Sequence, residues 1–247
     1  MRATFETMGT VASIALDRPA SLEPVRAIFD HYDEVFSLYR PDSPMSAMAR
    51  AQLTLAVAPV IVRDEYARAV EWRAATHGWF TPHRPDGTID LSGTIKAVAM
   101  QRAVDELARR NHSGLLGVGG DIAVVGQPAA APCIGIIDPQ DRTRLLFSVE
   151  LTTRRAIATS GLSERGDHIW RPLGESDVIQ ATVIAEDILT ADVLATALVA
   201  AGSAHVDELT EASDVDVLLV LQDQTLLATP GFAALARHPA AEAAAIS

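Results

Sequence analysis

The sequence predicts a mixed α/β fold rich in antiparallel strands. Three observations carry that prediction. Apolar residues recur at helical spacing near 21–36, 60–77, 97–110 and 190–201. Between these segments lie short runs rich in Val, Ile and Leu that pair across turn residues, at 114–126, 133–152 and 215–229. The composition is that of a folded globular chain, with 49% hydrophobic and 21% charged residues.

The chain has 247 residues, enough for a large core. It shows no repeat, low-complexity linker or break in composition, so a single domain over 1–247 is expected. The net charge of −12 argues against a nucleic-acid partner, because a phosphate backbone demands clustered Lys and Arg. Cys133 is the one cysteine, which excludes an intrachain disulfide and a thiolate metal cage. No apolar h-region follows Met1–Glu6, no lipoprotein cysteine lies near the start, and no apolar run is long enough to span a membrane. A cytoplasmic location is the expectation.

Residues 2–16 alternate as a strand interrupted at Met8-Gly9-Thr10. A glycine there marks either a close backbone approach to a ligand or a simple edge irregularity. Leu22, Val25, Ile28, Phe29, Tyr32 and Phe36 share a helix face, with Ser21 as its expected cap. Phe36-Ser37-Leu38-Tyr39-Arg40-Pro41-Asp42-Ser43 then makes an abrupt turn, in which Tyr39 and Arg40 hold a planar ring or merely pack the loop. A second helix is expected over Val60–His77 and a third over Ala97–Arg110. Small residues of Asp90-Leu91-Ser92-Gly93-Thr94-Ile95 precede the third, where backbone N–H groups can meet an anion. Lys96 there is a phosphate contact or an ordinary solvated lysine.

Gly114–Gly126 is a strand, a glycine turn and a second strand. Gly119-Gly120-Asp121 lets a backbone pass close to a ligand, or is only a tight hairpin turn. It is not GxGxxG opening a helix, so a Rossmann site is not indicated. Strands follow at Cys133–Ile137, Leu145–Thr152, Ala156–Gly161 and Ala181–Ala185, and a last hairpin turns at Gln222-Asp223-Gln224. The Ala-rich stretch Pro239–Ser247 is expected to fray. Glu164–Pro172 is the densest polar cluster, and its His168 is a general base or a structural histidine.

The segment Thr190–Ala201 carries the most chemistry. Val193, Leu194, Ala197, Leu198 and Ala201 form an apolar face, while Asp192 and Thr196 stand one turn apart. A carboxylate and a hydroxyl so placed offer hard oxygens to Mg2+, an ion that takes few protein oxygens besides phosphates and water. The same residues also fit an ordinary helix start, with Thr190 as N-cap and Asp192 as a first-turn acid.

Six segments in order resemble the ApbE family of flavin transferases (FAD:protein FMN transferases). They are Met8-Gly9-Thr10; Phe36–Ser43; Asp90–Gly93 with Lys96; Gly119-Gly120-Asp121; Thr159-Ser160-Gly161 with His168 and Pro172; and Ala191-Asp192 through Ala195-Thr196-Ala197. The resemblance implies a T-fold-like architecture with FAD between two intimate lobes around a central cleft. It implies Mg2+ held by Asp192, Thr196 and a backbone carbonyl near Ile95, with FAD phosphates completing the shell. The implied reaction cleaves the FAD pyrophosphate, passes FMN to a Thr or Ser hydroxyl of an acceptor flavoprotein and releases AMP. Lys96, Gly119 and Gly120 would steady ligand oxygens. Met8, Tyr39, Asp121, Ser160 and Gly161 would shape the cofactor pocket, and His168 would take the acceptor's proton.

The chain departs from the family pattern at Ala97, where Gly is usual, and at Gln101, where Asp is usual. Ala49 stands at an expected Asn, and Thr81 at an acidic residue before Pro82. Two alternatives follow: a divergent relative that binds or hydrolyses FAD without a protein acceptor, and a metal-free structural protein that kept the fold.

Overall fold

The structure is a computed structural model, and it describes residues 1–161 and 176–237. His168, Pro172 and the Pro239–Ser247 tail lie outside the described residues. The chain groups into two compact units, Met1–Gln127 and Pro128–Ser247.

In the first unit, β1 (Arg2–Thr7) and β2 (Thr10–Leu16) pair antiparallel, with Thr7 opposite Thr10. The expected single interrupted strand is therefore a hairpin. Met8 (φ 46°) and Gly9 (φ 71°) form its two-residue turn, and two successive positive φ values match the right-handed twist of the flanking strands. Helix α1 (Glu23–Phe36) has Leu22, not Ser21, at its N-cap, and no side chain caps it. Pro24 supplies a fixed φ and lacks an N–H, so the first turn has one donor fewer to satisfy. Its buried Phe29 meets Phe5 edge-on with centroids 5.9 Å apart.

A short helix, α2 (Pro44–Ala49), follows, and the sequence reading did not foresee it. Helix α3 (Val60–Ala75) stops before its predicted end, because His77 and Gly78 adopt positive φ and break the ladder. Helix α4 (Ser92–Arg109) begins five residues ahead of the predicted Ala97, so Ser92 and Gly93 are its first turn rather than a lead-in. Gly93 packs beneath Phe80, where a Cβ would come within 2.9 Å of the ring. Strands β3 (Gly114–Val118) and β4 (Asp121–Val125) close a sheet ordered β1-β2-β3-β4, antiparallel throughout. The Gly119-Gly120 turn has φ of 58° and 97°, so the hairpin alternative is realised. Helix α4 packs on α1 and on β3 and β4.

The second unit follows the predicted order of elements. Strands β5 (Cys133–Ile137) and β6 (Leu145–Glu150) pair antiparallel. Then come β7 (Ala156–Gly161), β8 (Val178–Ala185), α5 (Ile188–Ala201), the short α6 (Val206–Thr210), β9 (Asp216–Leu221) and β10 (Leu226–Ala228). Strands β7-β8-β9-β10 are consecutive antiparallel neighbours, and α5 packs on β7 and β8. A helix α7 (Pro230–Leu235) and a two-residue strand β11 (Ala236–Arg237) were not foreseen; β11 pairs with β6. Among the described residues no helix is long and apolar enough to cross a membrane. Cys133 is exposed and unbonded.

Two stability predictions follow from the first unit. Gly114 has φ 149°, and a Cβ there would sit 2.0 Å from the Ala15 carbonyl oxygen. Gly114→Ala should lower stability by about 3 kcal/mol, read by chemical denaturation. Glu65 on α3 is buried, and desolvation holds its carboxyl above the usual range despite Arg68 at 3.2 Å. A carboxyl raised in the folded state contributes stability at pH below its unfolded pKa, and loses it as pH rises through the raised value. Glu65→Gln should therefore flatten that decline in unfolding midpoint between acid and neutral pH.

Candidate functional site

Helix α5 opens at Asp187, not at Thr190. The Asp187 carboxylate accepts the Thr190 N–H at 2.9 Å and the Thr190 hydroxyl at 2.7 Å. This corrects the reading of Thr190 as N-cap. It also places Asp192 fifth in the helix, beyond the turn where the dipole favours acids. The predicted single apolar face is likewise too narrow. Every residue from Ala191 to Ala201 except Thr196 is buried, so α5 is a core helix apolar nearly all round.

Asp192 is 4% exposed. One turn further on, the Thr196 hydroxyl lies 3.1 Å from the Ser160 hydroxyl on β7. Alternation along β7 sends neighbouring side chains to opposite faces, and Thr159 pairs instead with the Thr182 hydroxyl of β8 at 2.9 Å. Gly161 ends the strand, where a Cβ would stand 3.0 Å from the Ile179 carbonyl oxygen. Thr196 and Ser160 thus meet across α5 and β7, with Asp192 one turn before Thr196; only Asp192 and Thr196 were expected to act together.

The donor set is one buried carboxylate and one hydroxyl, the latter hydrogen-bonded to Ser160. Among the described residues no group of three or more His, Cys, Asp and Glu forms a protein-only cage. Such a set suits a hard divalent ion that draws its remaining ligands from phosphates and water, and Mg2+ fits it. It does not suit a soft metal that selects thiolates.

In the first unit, Lys96 is only 19% exposed and its Nζ lies 2.5 Å from Asp121 Oδ2, itself 1% exposed. The alternative of an ordinary solvated lysine is therefore overturned: burial of Asp121 beside the Gly119-Gly120 turn draws the ammonium inward. Ile95 is 1% exposed in the first turn of α4. Ahead of it, Asp90 accepts the Ser92 N–H at 2.9 Å and receives the Arg84 guanidinium at 2.8 and 2.6 Å. That contact raises the Arg84 pKa. The motif alone does not give Asp90 this duty; an Asp two residues before a helical Ser is the available signal.

The turn bearing Tyr39 is closed from within. Ser43 caps α2 by accepting the Ser46 N–H at 2.9 Å, and the Ser43 and Ser46 hydroxyls both donate to the Ser37 carbonyl, at 2.5 and 3.2 Å. Tyr39 stays 92% exposed at its apex, so it does not pack the loop. Met8 holds its positive φ in the β1–β2 turn. Gln101, where the family pattern has Asp, donates to Asp105 at 2.9 Å on its own helix.

The model of the ApbE family matches residues 66–219, and the chain belongs to that family. Its fold is similar to that of the ApbE protein of Thermotoga maritima, at 20% identity and TM-score 0.81, over 96% of this chain and 99% of that one. It is similar to the flavin transferase ApbE of Vibrio cholerae, at 22% identity and TM-score 0.75, over 95% and 98%. The apo form of Pseudomonas stutzeri flavinyl transferase ApbE matches at 21% identity and TM-score 0.75, over 95% and 97%. No match is found among curated proteins.

The Lys96–Asp121 pair gives a direct prediction. Lys96→Met leaves a buried carboxylate without its cation and should destabilise the protein by about 3 kcal/mol in urea unfolding. Adding Asp121→Asn should recover most of that loss, as a double-mutant cycle would register.

Proposed function

We propose that this chain is a Mg2+-dependent FAD:protein FMN transferase, acting as one domain over 1–247. It would cleave the FAD pyrophosphate and join FMN through a phosphoester to a Thr or Ser of an acceptor flavoprotein, releasing AMP. The observation that carries this is the buried Asp192 carboxylate one turn from the Thr196 hydroxyl, in a chain of the ApbE family. The names of the Vibrio cholerae and Pseudomonas stutzeri structures, flavin and flavinyl transferases, support the same activity.

Asp192 and Thr196 would hold the ion. Bound there, Mg2+ supplies charge neutralisation to the phosphates, the main demand of phosphoryl transfer. The chain's own residues do the positioning. Lys96, steered by Asp121, and the Gly119-Gly120 backbone would steady phosphate oxygens. Met8 and Tyr39 would bound the flavin nucleotide, with Tyr39 offering an exposed ring to a flat ligand. His168 would take the proton from the acceptor hydroxyl as that oxygen bonds to the FMN phosphorus and the bond to AMP breaks. Ala97, Gln101 and Ala49 favour a second reading, in which water is the acceptor and FAD is hydrolysed to FMN and AMP.

Incubation with FAD and Mg2+, with and without an acceptor flavoprotein, separates the two. Transfer yields AMP together with flavin that stays on the denatured acceptor; hydrolysis yields AMP and free FMN alone. Asp192→Ala should lower AMP formation at least about a thousandfold with an unchanged circular dichroism spectrum. Unaltered turnover in that variant would refute the metal assignment. His168→Ala should slow transfer more than it weakens FAD binding.

A further inference from the structure

Threonines on helices or at their ends place their hydroxyls in more than one way in this structure. Thr76 and Thr210 turn their hydroxyls back along the helix and donate to the carbonyls of Trp72 and Val206, each at 2.8 Å. This is the ordinary local habit of a threonine on a helix. Thr196 does otherwise. Its hydroxyl meets Ser160 on β7 at 3.1 Å rather than the Asp192 carbonyl four residues back.

That difference has a chemical use. A hydroxyl that gives a lone pair to a cation must send its proton somewhere else. With Ser160 Oγ as acceptor, the Thr196 proton points toward β7 and its lone pairs are left to the side that Asp192 shares. A cation also polarises the O–H bond, which strengthens donation to Ser160. Charge-assisted hydrogen bonds are the stronger kind. Partners of this sort around metal ligands fix the ligand's orientation, and losing one commonly weakens metal affinity about 10- to 100-fold.

We propose that Ser160 is a positioning residue for the divalent-cation site: it accepts the Thr196 proton and holds that hydroxyl in its metal-binding rotamer. The proposal rests on the reading of Asp192 and Thr196 as metal ligands. It differs from the reading of Ser160 as a direct contact of the flavin nucleotide. Without Ser160, Thr196 is free to swing back to the Asp192 carbonyl, as Thr76 and Thr210 do at their own positions.

The test uses Mn2+ as the probe, titrated by electron paramagnetic resonance into the full chain with saturating FAD. Flavin fluorescence in EDTA reads FAD binding separately. Ser160→Ala should weaken Mn2+ binding about 10- to 100-fold and leave metal-free FAD binding unchanged. Ser160→Thr, which keeps the hydroxyl, should restore the Mn2+ affinity. Asp192→Ala is the reference arm. If Asp192→Ala loses Mn2+ while Ser160→Ala keeps wild-type affinity, the role of Ser160 is overturned and the metal assignment stands. If Asp192→Ala binds Mn2+ as the wild type does, or the wild type takes up none, both fall. An equal loss of Mn2+ and metal-free FAD binding in Ser160→Ala makes Ser160 a ligand contact and overturns its positioning role.

Discussion

A carboxylate inside an apolar helix is the constraint around which the second unit is arranged. Asp192 is almost wholly buried in α5, a segment of Ala, Val and Leu pressed against β7 and β8. Burying an isolated charge is strongly unfavourable, so the surroundings of such a group must answer it. Apolar packing on nearly every side of α5 fixes where Asp192 stands, and one turn on the Thr196 hydroxyl meets that of Ser160 on β7. The Asp187 cap fixes where the helix begins, and so which face those residues occupy.

Element order and strand pairing were largely legible in the sequence, because alternation and turn residues are local signals. The β3–β4 and β5–β6 hairpins and helices α1, α3 and α5 all stand near their expected places. The misses share a cause. Helix ends are set by single residues: Pro24 displaced the cap of α1, His77 and Gly78 cut α3 short, and Asp187 opened α5 ahead of Thr190. The β1–β2 hairpin was hidden because Met8, a residue that rarely adopts positive φ, fills a turn position usually taken by Asn, Asp or Gly. Helix α2, α7 and β11 are too short to show a period.

The site was legible in part, for a different reason. Asp192 and Thr196 lie one turn apart, so their proximity could be inferred from spacing alone. Lys96 with Asp121, and Ser160 with Thr196, are separated by long stretches of chain and meet only through tertiary packing. The sequence named all four residues, yet it paired none of them. Order and spacing of motifs indicated the family, which the ApbE match bears out; the hydrogen bonds among those motifs had to come from the structure.

The turn around Tyr39 has one more consequence. Its backbone is already immobilised by Ser37, Ser43 and Ser46, while the ring projects fully into solvent. Capture of a flat molecule by that ring would freeze rotation about only two side-chain bonds. The conformational entropy of the loop itself has been surrendered on folding, so little remains to oppose stacking.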